Sequence, residues 1–302
     1  MLTSFDDLRR SAIQSEPLRV AVAGGNDFYV IEAVSMALKD NLVSHAIITG
    51  DRDMITGFVS ADLHDRIDIR AATTPAECAD MAVAAVRADE ADVLMKGHVD
   101  STSYLRAVVN RDTGIRQGVL SNVTVAEMPS YPKLLTATDN GILPVPNLDQ
   151  KRQIILNTAP LFRGLGITTA KVAALAATEK KSDALPATID AAALTGEAVK
   201  GDFPGFVVDG PFGYDVAVSA TAAKTKGLGD SLVAGDADLL LFSNIEAANA
   251  VAKAWKFHGQ ADTGSIVLGA KVPVLLNSRS DGAGRRINAL LLAAIVKKGM
   301  QA

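Results

Sequence analysis

An α/β fold built as two domains is what this 302-residue sequence predicts, on three observations. Short runs that are apolar throughout, such as "LRVAVAGG", "HAIITG" and "ADVLMKG", recur along the chain. Strands of that kind belong to parallel sheets covered on both faces. Most are followed by longer segments with helical spacing, which is the alternation of βαβ units. The length also exceeds what a single hydrophobic core usually fills, so two domains are expected.

The elements follow in order. "LTSFDDLRRSAIQ" is amphipathic and mixed in charge, without the apolar stretch of a signal peptide. "LRVAVAGG" reads as the first strand, "DFYVIEAVSMALKD" as a helix, "HAIITG" and "RIDIRAA" as the next two strands. "TTPAECADMAVAAVRA" opens with Thr74 as N-cap, Pro75 at the first helical position and Glu77 two residues later, the pattern of a capping box. "ADVLMKG" is a fourth strand and "STSYLRAVVN" the helix after it. Near Gln117 the style changes. "GVLSNVTVAEM", "KLLTATD" and "ILPVP" are strand-like, and Asn140-Gly141 between the last two signals a hairpin. Alternation then resumes. "LDQKRQIILNTAPLFRGL" is helical, "KVAALAAT" a strand, "ALPATIDAAALTGEAV" a helix and "GFVVDG" a strand. "DVAVSATAAKTKG" is a helix, "ADLLLFS" a strand and "IEAANAVAKAW" a helix. "GSIVLG" and "VPVLLNS" are the last strands, before the apolar helix around "INALLLAAIV".

A net charge of −4 gives no basic surface that calls for nucleic acid or an acidic membrane. The longest apolar runs are too short to span a bilayer. The single cysteine, Cys78, excludes an internal disulfide and a cysteine-based zinc cluster, and suits a reducing cytoplasm. Four scattered histidines argue against a metal cluster.

In open parallel sheets, ligands bind beyond the carboxyl ends of the strands. Those ends deliver "GGND", "KGHVDSTSYLR", "PFGYD", "NIEAAN" and "NSRSDGAGRR". Candidate binding residues are therefore Lys96, Ser101, Thr102, Arg106, Asp215, Glu246 and Asn249. Each has a structural reading beside the functional one. Gly24 and Gly25 make a tight turn without the dinucleotide pattern; Ser243 with Glu246 fits a capping box; His98 is a lone loop histidine. Ser278 also reads as a plain N-cap and Arg279 as a solvated rim residue. The last loop is the most suggestive. A helix start contributes about 0.3–1 kcal/mol to holding an anion, whereas millimolar binding needs about −4 kcal/mol. A guanidinium adds charge-assisted bonds of about 1.5–3 kcal/mol each. A helix start with Arg279, helped by Arg106, suffices for inorganic phosphate; a helix start alone does not.

"ADVLMKGHVDSTSYLRA", "VVDGPFGYDVAVS", "DADLLLFSNIEAANAVAK" and "VPVLLNSRSDGAG" resemble, in that order, the blocks of the phosphate acetyltransferase and phosphate butyryltransferase family. The resemblance runs from about Leu18 to Val296, and Lys96-Gly97 with the compact length is nearer the butyryl branch. It implies reversible transfer of a short acyl group, acetyl or butyryl, between CoA and inorganic phosphate, in a cytoplasmic homodimer that uses acyl-CoA, phosphate and acyl phosphate and no cofactor or metal. It implies two α/β/α domains with mainly parallel sheets, similar to isocitrate and isopropylmalate dehydrogenases, with the active site in the interdomain cleft. The expected boundaries are 1–116 with 265–302 for the first domain and 117–264 for the inserted one. The family's catalytic Ser-Arg pair matches Ser278 and Arg279, and a phosphate-binding arginine matches Arg106. Where the acetyl branch carries a carboxylate as base for the thiol, this chain has Arg285; Asp281 is the nearest acid and takes that role in the expected scheme. Three rivals are a metal- and NAD-dependent hydroxy-acid dehydrogenase of related fold, an enzyme that transfers long acyl chains from acyl carrier protein to phosphate, and a non-catalytic CoA or acyl-phosphate sensor. The first would need a D-x-x-x-D type carboxylate cluster, and the final strand–helix segment has none.

Overall fold

The computed structural model describes residues 1–277 and 281–301; Ser278, Arg279, Ser280 and Ala302 lie outside the described residues. The elements in chain order are α1 (Phe5–Ile13), β1 (Leu18–Ala23), α2 (Phe28–Lys39), β2 (Val43–Gly50), α3 (Arg52–Phe58), a 3-10 turn (Ala61–Arg66), β3 (Ile67–Ala71), α4 (Pro75–Arg87), β4 (Val93–Lys96) and α5 (Ser101–Val109). They continue with β5 (Arg116–Glu127), β6 (Leu135–Thr138), α6 (Leu148–Asn157), α7 (Ala159–Gly164), β7 (Ala170–Leu175), α8 (Pro186–Val199), β8 (Phe206–Phe212), α9 (Tyr214–Val218) and α10 (Ala220–Thr225). The last are β9 (Leu239–Leu241), α11 (Ile245–Phe257), β10 (Asp262–Ala270), β11 (Val274–Leu275) and α12 (Ala283–Gln301).

The chain divides into two compact units. One holds Phe5–Gly118 and Gly264–Ala302, the other Val119–Thr263 together with Met1–Ser4. The amide of Leu2 donates to the carbonyl of Leu165, 2.9 Å away, which ties the first residues to the inserted unit. The chain passes from one unit to the other within β5 and within β10.

In the terminal unit the strand order is β3-β2-β1-β4-β11-β10. All neighbours are parallel except β10 and β11, which pair antiparallel through Val267 and Val274. Successive residues of β4 are all buried, and so are five of six in β1, so both faces of these strands are covered. α1, α2 and α12 pack together, and α4 packs with α5 and against β1 and β2. Leu290, Leu291, Leu292, Ile295 and Val296 of α12 are all at most 1% exposed. At about 1.5–3 kcal/mol for each fully buried side chain, this helix is a large part of the unit's stability. Tyr104 of α5 is fully buried, and its hydroxyl lies 3.1 Å from the carbonyl of Leu94 and 3.2 Å from that of Leu275. It thereby ties β4 to β11, and burial pushes its pKa well above the ordinary phenol value.

In the inserted unit the order is β5-β6-β9-β7-β8, with β5 and β6 antiparallel and the rest parallel. α8 packs on β7 and β8, and α11 against β6. Trp255, Phe212, Phe242 and Val216 anchor its core.

The local chemistry departs from the sequence reading at several points. Thr74 does cap α4, accepting from the amide of Glu77 at 3.2 Å. The reciprocal bond of a capping box goes one residue further back: the Glu77 carboxylate accepts from the amide of Thr73 at 2.8 Å. The Asn140-Gly141 hairpin does not form, and no strand covers 142–146. The antiparallel partner of β6 is β5. Asp139 is the reason the chain bends elsewhere. It is 2% exposed and accepts from the backbone amides of Asn122, Gly141, Ile142 and Leu143. Burial raises its pKa against those four donors, which favour the charged form. The helix expected after β8 is two short ones, with Ser219 capping the second through the amide of Ala222. α3 and the 3-10 turn were not legible as elements. Asp51 caps α3, and Arg66 donates to the carbonyls of Leu38, Val43 and Ser44.

Candidate active site

In the terminal unit, the loops after β1, β4 and β11 carry the sequence-predicted residues. The first two loops are locked together. The amide of His98 donates to the carbonyl of Gly24 at 2.7 Å, and a Cβ on Gly97 would sit 1.9 Å from that same oxygen. Gly24 has φ +84°, in the region that favours glycine. Thr49 at the end of β2 accepts from the Gly24 amide at 3.1 Å. Gly24 and Gly97 thus serve close backbone approach, while a Cβ on Gly25 would meet the Ile48 side chain 2.4 Å away. Asp27 caps α2 through the amide of Val30 at 3.0 Å, and its other oxygen lies 3.9 Å from Nδ1 of the exposed His98.

Lys96 ends β4 and is 3% exposed. Asp100 caps α5 by accepting from the Ser103 amide at 2.8 Å, which holds its carboxyl below the usual range. Ser101, Thr102 and Arg106 are exposed on α5, the first two in its first turn and Arg106 in its last. In the loop after β11, Asn277 is 6% exposed, and the Asp281 side chain is 12% exposed with one oxygen 3.7 Å from Nη1 of Arg285. The predicted pair Ser278 and Arg279 falls between them, outside the described residues. α12 begins at Ala283.

Arg286, in the first turn of α12, was missed. It is 4% exposed, its Nη1 is 3.5 Å from the carbonyl of Lys96, and its Nε is buried without a partner among the described residues. The Asn277 Oδ1 is orphaned in the same sense. Burial pulls the Arg286 pKa down, and the negative charges of Asp27 and Asp281 oppose this. The available signal was spacing. Arg286 lies one turn before Leu290, on the face that goes on into the core.

In the inserted unit the expected residues are more dispersed. Asp215 opens α9 and pairs with Lys226 at 3.1 Å; Lys226 also meets Glu179 at 2.8 Å and holds both carboxyls below their usual values. Asn249 donates to the carbonyl of Asn140 at 3.1 Å, a structural bond. Glu246 is exposed in the first turn of α11. Its expected capping box with Ser243 is not what forms. The N-cap is Asn244, which accepts from the amide of Ala247 at 2.9 Å.

At the carboxyl ends of β7, β8 and β9 lies a pocket of about 380 Å³, walled by Leu175, Ala177, Leu185, Pro186, Tyr214 and Phe242. A second hollow of about 570 Å³, which includes Asn147, Lys151, Asp190 and Glu246, shares Pro186, Ala187 and Ser243 with it. Among the described residues no three His, Cys, Asp or Glu side chains gather as metal ligands, and no helix is long and apolar enough to cross a membrane.

Comparison with known proteins completes this picture. The family model described as phosphate acetyl/butaryl transferase matches residues 50–294. A phosphate butyryltransferase of Clostridium acetobutylicum is 36% identical over 300 residues, covering 98% of this chain and 99% of that one. A phosphate acetyltransferase of Thermotoga maritima is 36% identical over 279 residues, covering 92% and 94%. Among solved structures, a branched-chain phosphotransacylase from Enterococcus faecalis superposes with a TM-score of 0.81 at 27% identity, covering 92% of this chain and 99% of that one.

Proposed function

Because the chain belongs to the phosphate acetyl/butyryl transferase family, and is thus an acyltransferase, we propose that it moves a short acyl group reversibly between CoA and inorganic phosphate. The observation that carries this is the match to named phosphate butyryl- and acetyltransferases over nearly the full length of both partners.

In the proposed reaction the CoA thiolate attacks the acyl carbon of the acyl phosphate, the C–O bond to phosphate breaks, and phosphate leaves with the bond's electron pair. A free thiol, with pKa about 8.5, is only slightly ionised near neutrality, so a proton acceptor speeds the step. Asp281, next to the described end of the loop, is assigned that role. Ser278 donates to the carbonyl oxygen as negative charge grows there, an interaction worth about 2.7–4 kcal/mol in comparable sites. Arg279 and Arg106 neutralise the departing phosphate; Lys96 ends β4, and Ser101 and Thr102 open the helix that carries Arg106 in its last turn. Asp215, Glu246 and Asn249 are assigned to the CoA side. Guanidinium groups meet the phosphate charge, so the scheme uses no cofactor. A homodimer working in the cytoplasm completes the proposal.

The test is purified protein with phosphate and acyl-CoAs of two to six carbons, with free thiol followed over time. Phosphate-dependent thiol release is expected. Its absence for every chain length, with CoA still bound, would leave the non-catalytic reading; NAD reduction with hydroxy acids would replace it with the dehydrogenase. Arg279→Ala is expected to lose most activity while remaining folded, and near-wild-type turnover at saturating substrate would reject its role.

A further inference from the structure

The apolar pocket of the inserted unit is larger and more exposed than packing requires. Leu185 and Tyr214 in its wall are each 39% exposed. The Tyr214 ring is held in place, since its hydroxyl accepts from Nε1 of the buried Trp255 at 2.7 Å. The volume of about 380 Å³ falls in the range of small-molecule sites. Its position beyond the carboxyl ends of parallel strands is where such folds hold ligands.

Charge at the rim narrows the ligand class. The loop between Ala177 and Leu185, whose two ends line the pocket, carries Glu179, Lys180 and Lys181. Glu179 is engaged by Lys226 and by the amide of Gly213, and Lys226 is shared with Asp215. Lys180 and Lys181 are exposed and enter no ion pair among the described residues. An apolar, aromatic-walled pocket with two uncommitted ammonium groups beside it suits a flat heterocycle carrying phosphate.

We propose that this pocket receives the adenosine 3′-phosphate end of CoA, with the purine against Tyr214 and Phe242 and the phosphates toward Lys180 and Lys181. The assignment rests on the acyltransferase reading, in which CoA is the substrate that carries such a group. A bare acyl chain or pantetheine arm has no use for the two lysines.

Adenosine 3′,5′-bisphosphate, which lacks the thiol and the pantetheine arm, separates binding from turnover. Calorimetry should show it binding the wild-type protein and competing with acyl-CoA. The double variant Lys180→Glu/Lys181→Glu should weaken it about tenfold, with the loss shrinking as salt rises. Ala177→Trp, which fills the pocket from an exposed loop position, should do the same without salt dependence. Both variants should raise the KM for acyl-CoA and leave kcat and the KM for phosphate unchanged. With an acyl-pantetheine 4′-phosphate as substrate, neither variant should matter. Unchanged bisphosphate binding and unchanged KM in both variants would overturn the assignment. So would an equal effect on the pantetheine substrate, which would give the pocket to the other end of the molecule. Wild-type protein that binds the bisphosphate here but never releases thiol would sink the acyltransferase reading and leave the nucleotide pocket standing.

Discussion

Lys151 of α6 and Asp190 of α8 form an ion pair, 2.6 Å between Nζ and Oδ2, whose two halves are unequally buried. The lysine side chain is 6% exposed and the aspartate 31%. Removing one partner of a buried pair costs about 3–5 kcal/mol, because the remaining charge is stranded. In Asp190→Asn the stranded group is an ammonium with almost no access to water. The carboxamide oxygen still offers one acceptor, which places the loss near the lower end, about 3 kcal/mol. In Lys151→Met the stranded carboxylate keeps a third of its surface in solvent, and methionine replaces the lysine stem with similar volume; the expected loss is about 1 kcal/mol. Trp255, the chain's single tryptophan, is 5% exposed in the core of the inserted unit, so its fluorescence during urea unfolding reports on that unit. With a denaturant slope of about 2 kcal/mol per molar, the Asp190→Asn midpoint should fall by about 1.5 M and the Lys151→Met midpoint by about 0.5 M. The double variant should lie near Lys151→Met rather than at the sum of the two. A Lys151→Met loss equal to or above that of Asp190→Asn would refute the argument from unequal hydration.

Tyr104→Phe removes the hydroxyl that lies between the carbonyls of Leu94 and Leu275 and should cost about 1–2 kcal/mol; circular dichroism should show a melting point lower by about 2–8 °C, and no shift would mean the bond does not tie β4 to β11. Burial acts to raise the Asp92 carboxyl pKa, but hydrogen bonds from Arg19 and Lys297 outweigh it and hold the group below its ordinary value. With the folded value below the unfolded one, its stabilisation is present above about pH 4 and lost as pH falls through the folded pKa. Asp92→Asn should therefore lower the melting point at pH 7 and converge on the wild type near pH 2. The Cys78 thiol is 6% exposed and its pKa is pushed up by burial, so a thiol reagent should find it only after denaturation. In the acyl-transfer assay the colour that develops should then come from CoA alone, and a native-state reaction of one equivalent per chain would contradict the burial.

What was legible in the sequence is what local chemistry decides. Thr74 and Pro75 announce the start of α4 because a cap and a pre-set φ act within one turn. The apolar strands are plain because their neighbours on both faces leave no polar position. Failures came where a distant or adjacent competitor decided. The carboxylate of Asp139 gathers the amides that a turn at Asn140-Gly141 would have used, and β6 finds its second partner in β9, about a hundred residues on. At α11 the choice between Ser243 and Asn244 as cap rested on a single residue of register, and the carboxamide won. Arg286 was hidden for a different reason. Its neighbour Arg285 is intermediate in exposure, and nothing in an Arg-Arg pair says which one turns into the core.

The passage of the chain through β5 and back through β10 bears on how the protein is made. During synthesis β1 to β4 emerge first, yet β11, which flanks β4, and α12, which covers the same unit, are translated last. The inserted unit holds its own sheet and core between those events and is free to close while the ribosome is still working. Until then β4 is a bare apolar edge, the kind of surface that recruits wrong strands. For nascent chains of this protein, the interval between residue 96 and residue 275 is the hazardous one, and a holding chaperone would find its work there.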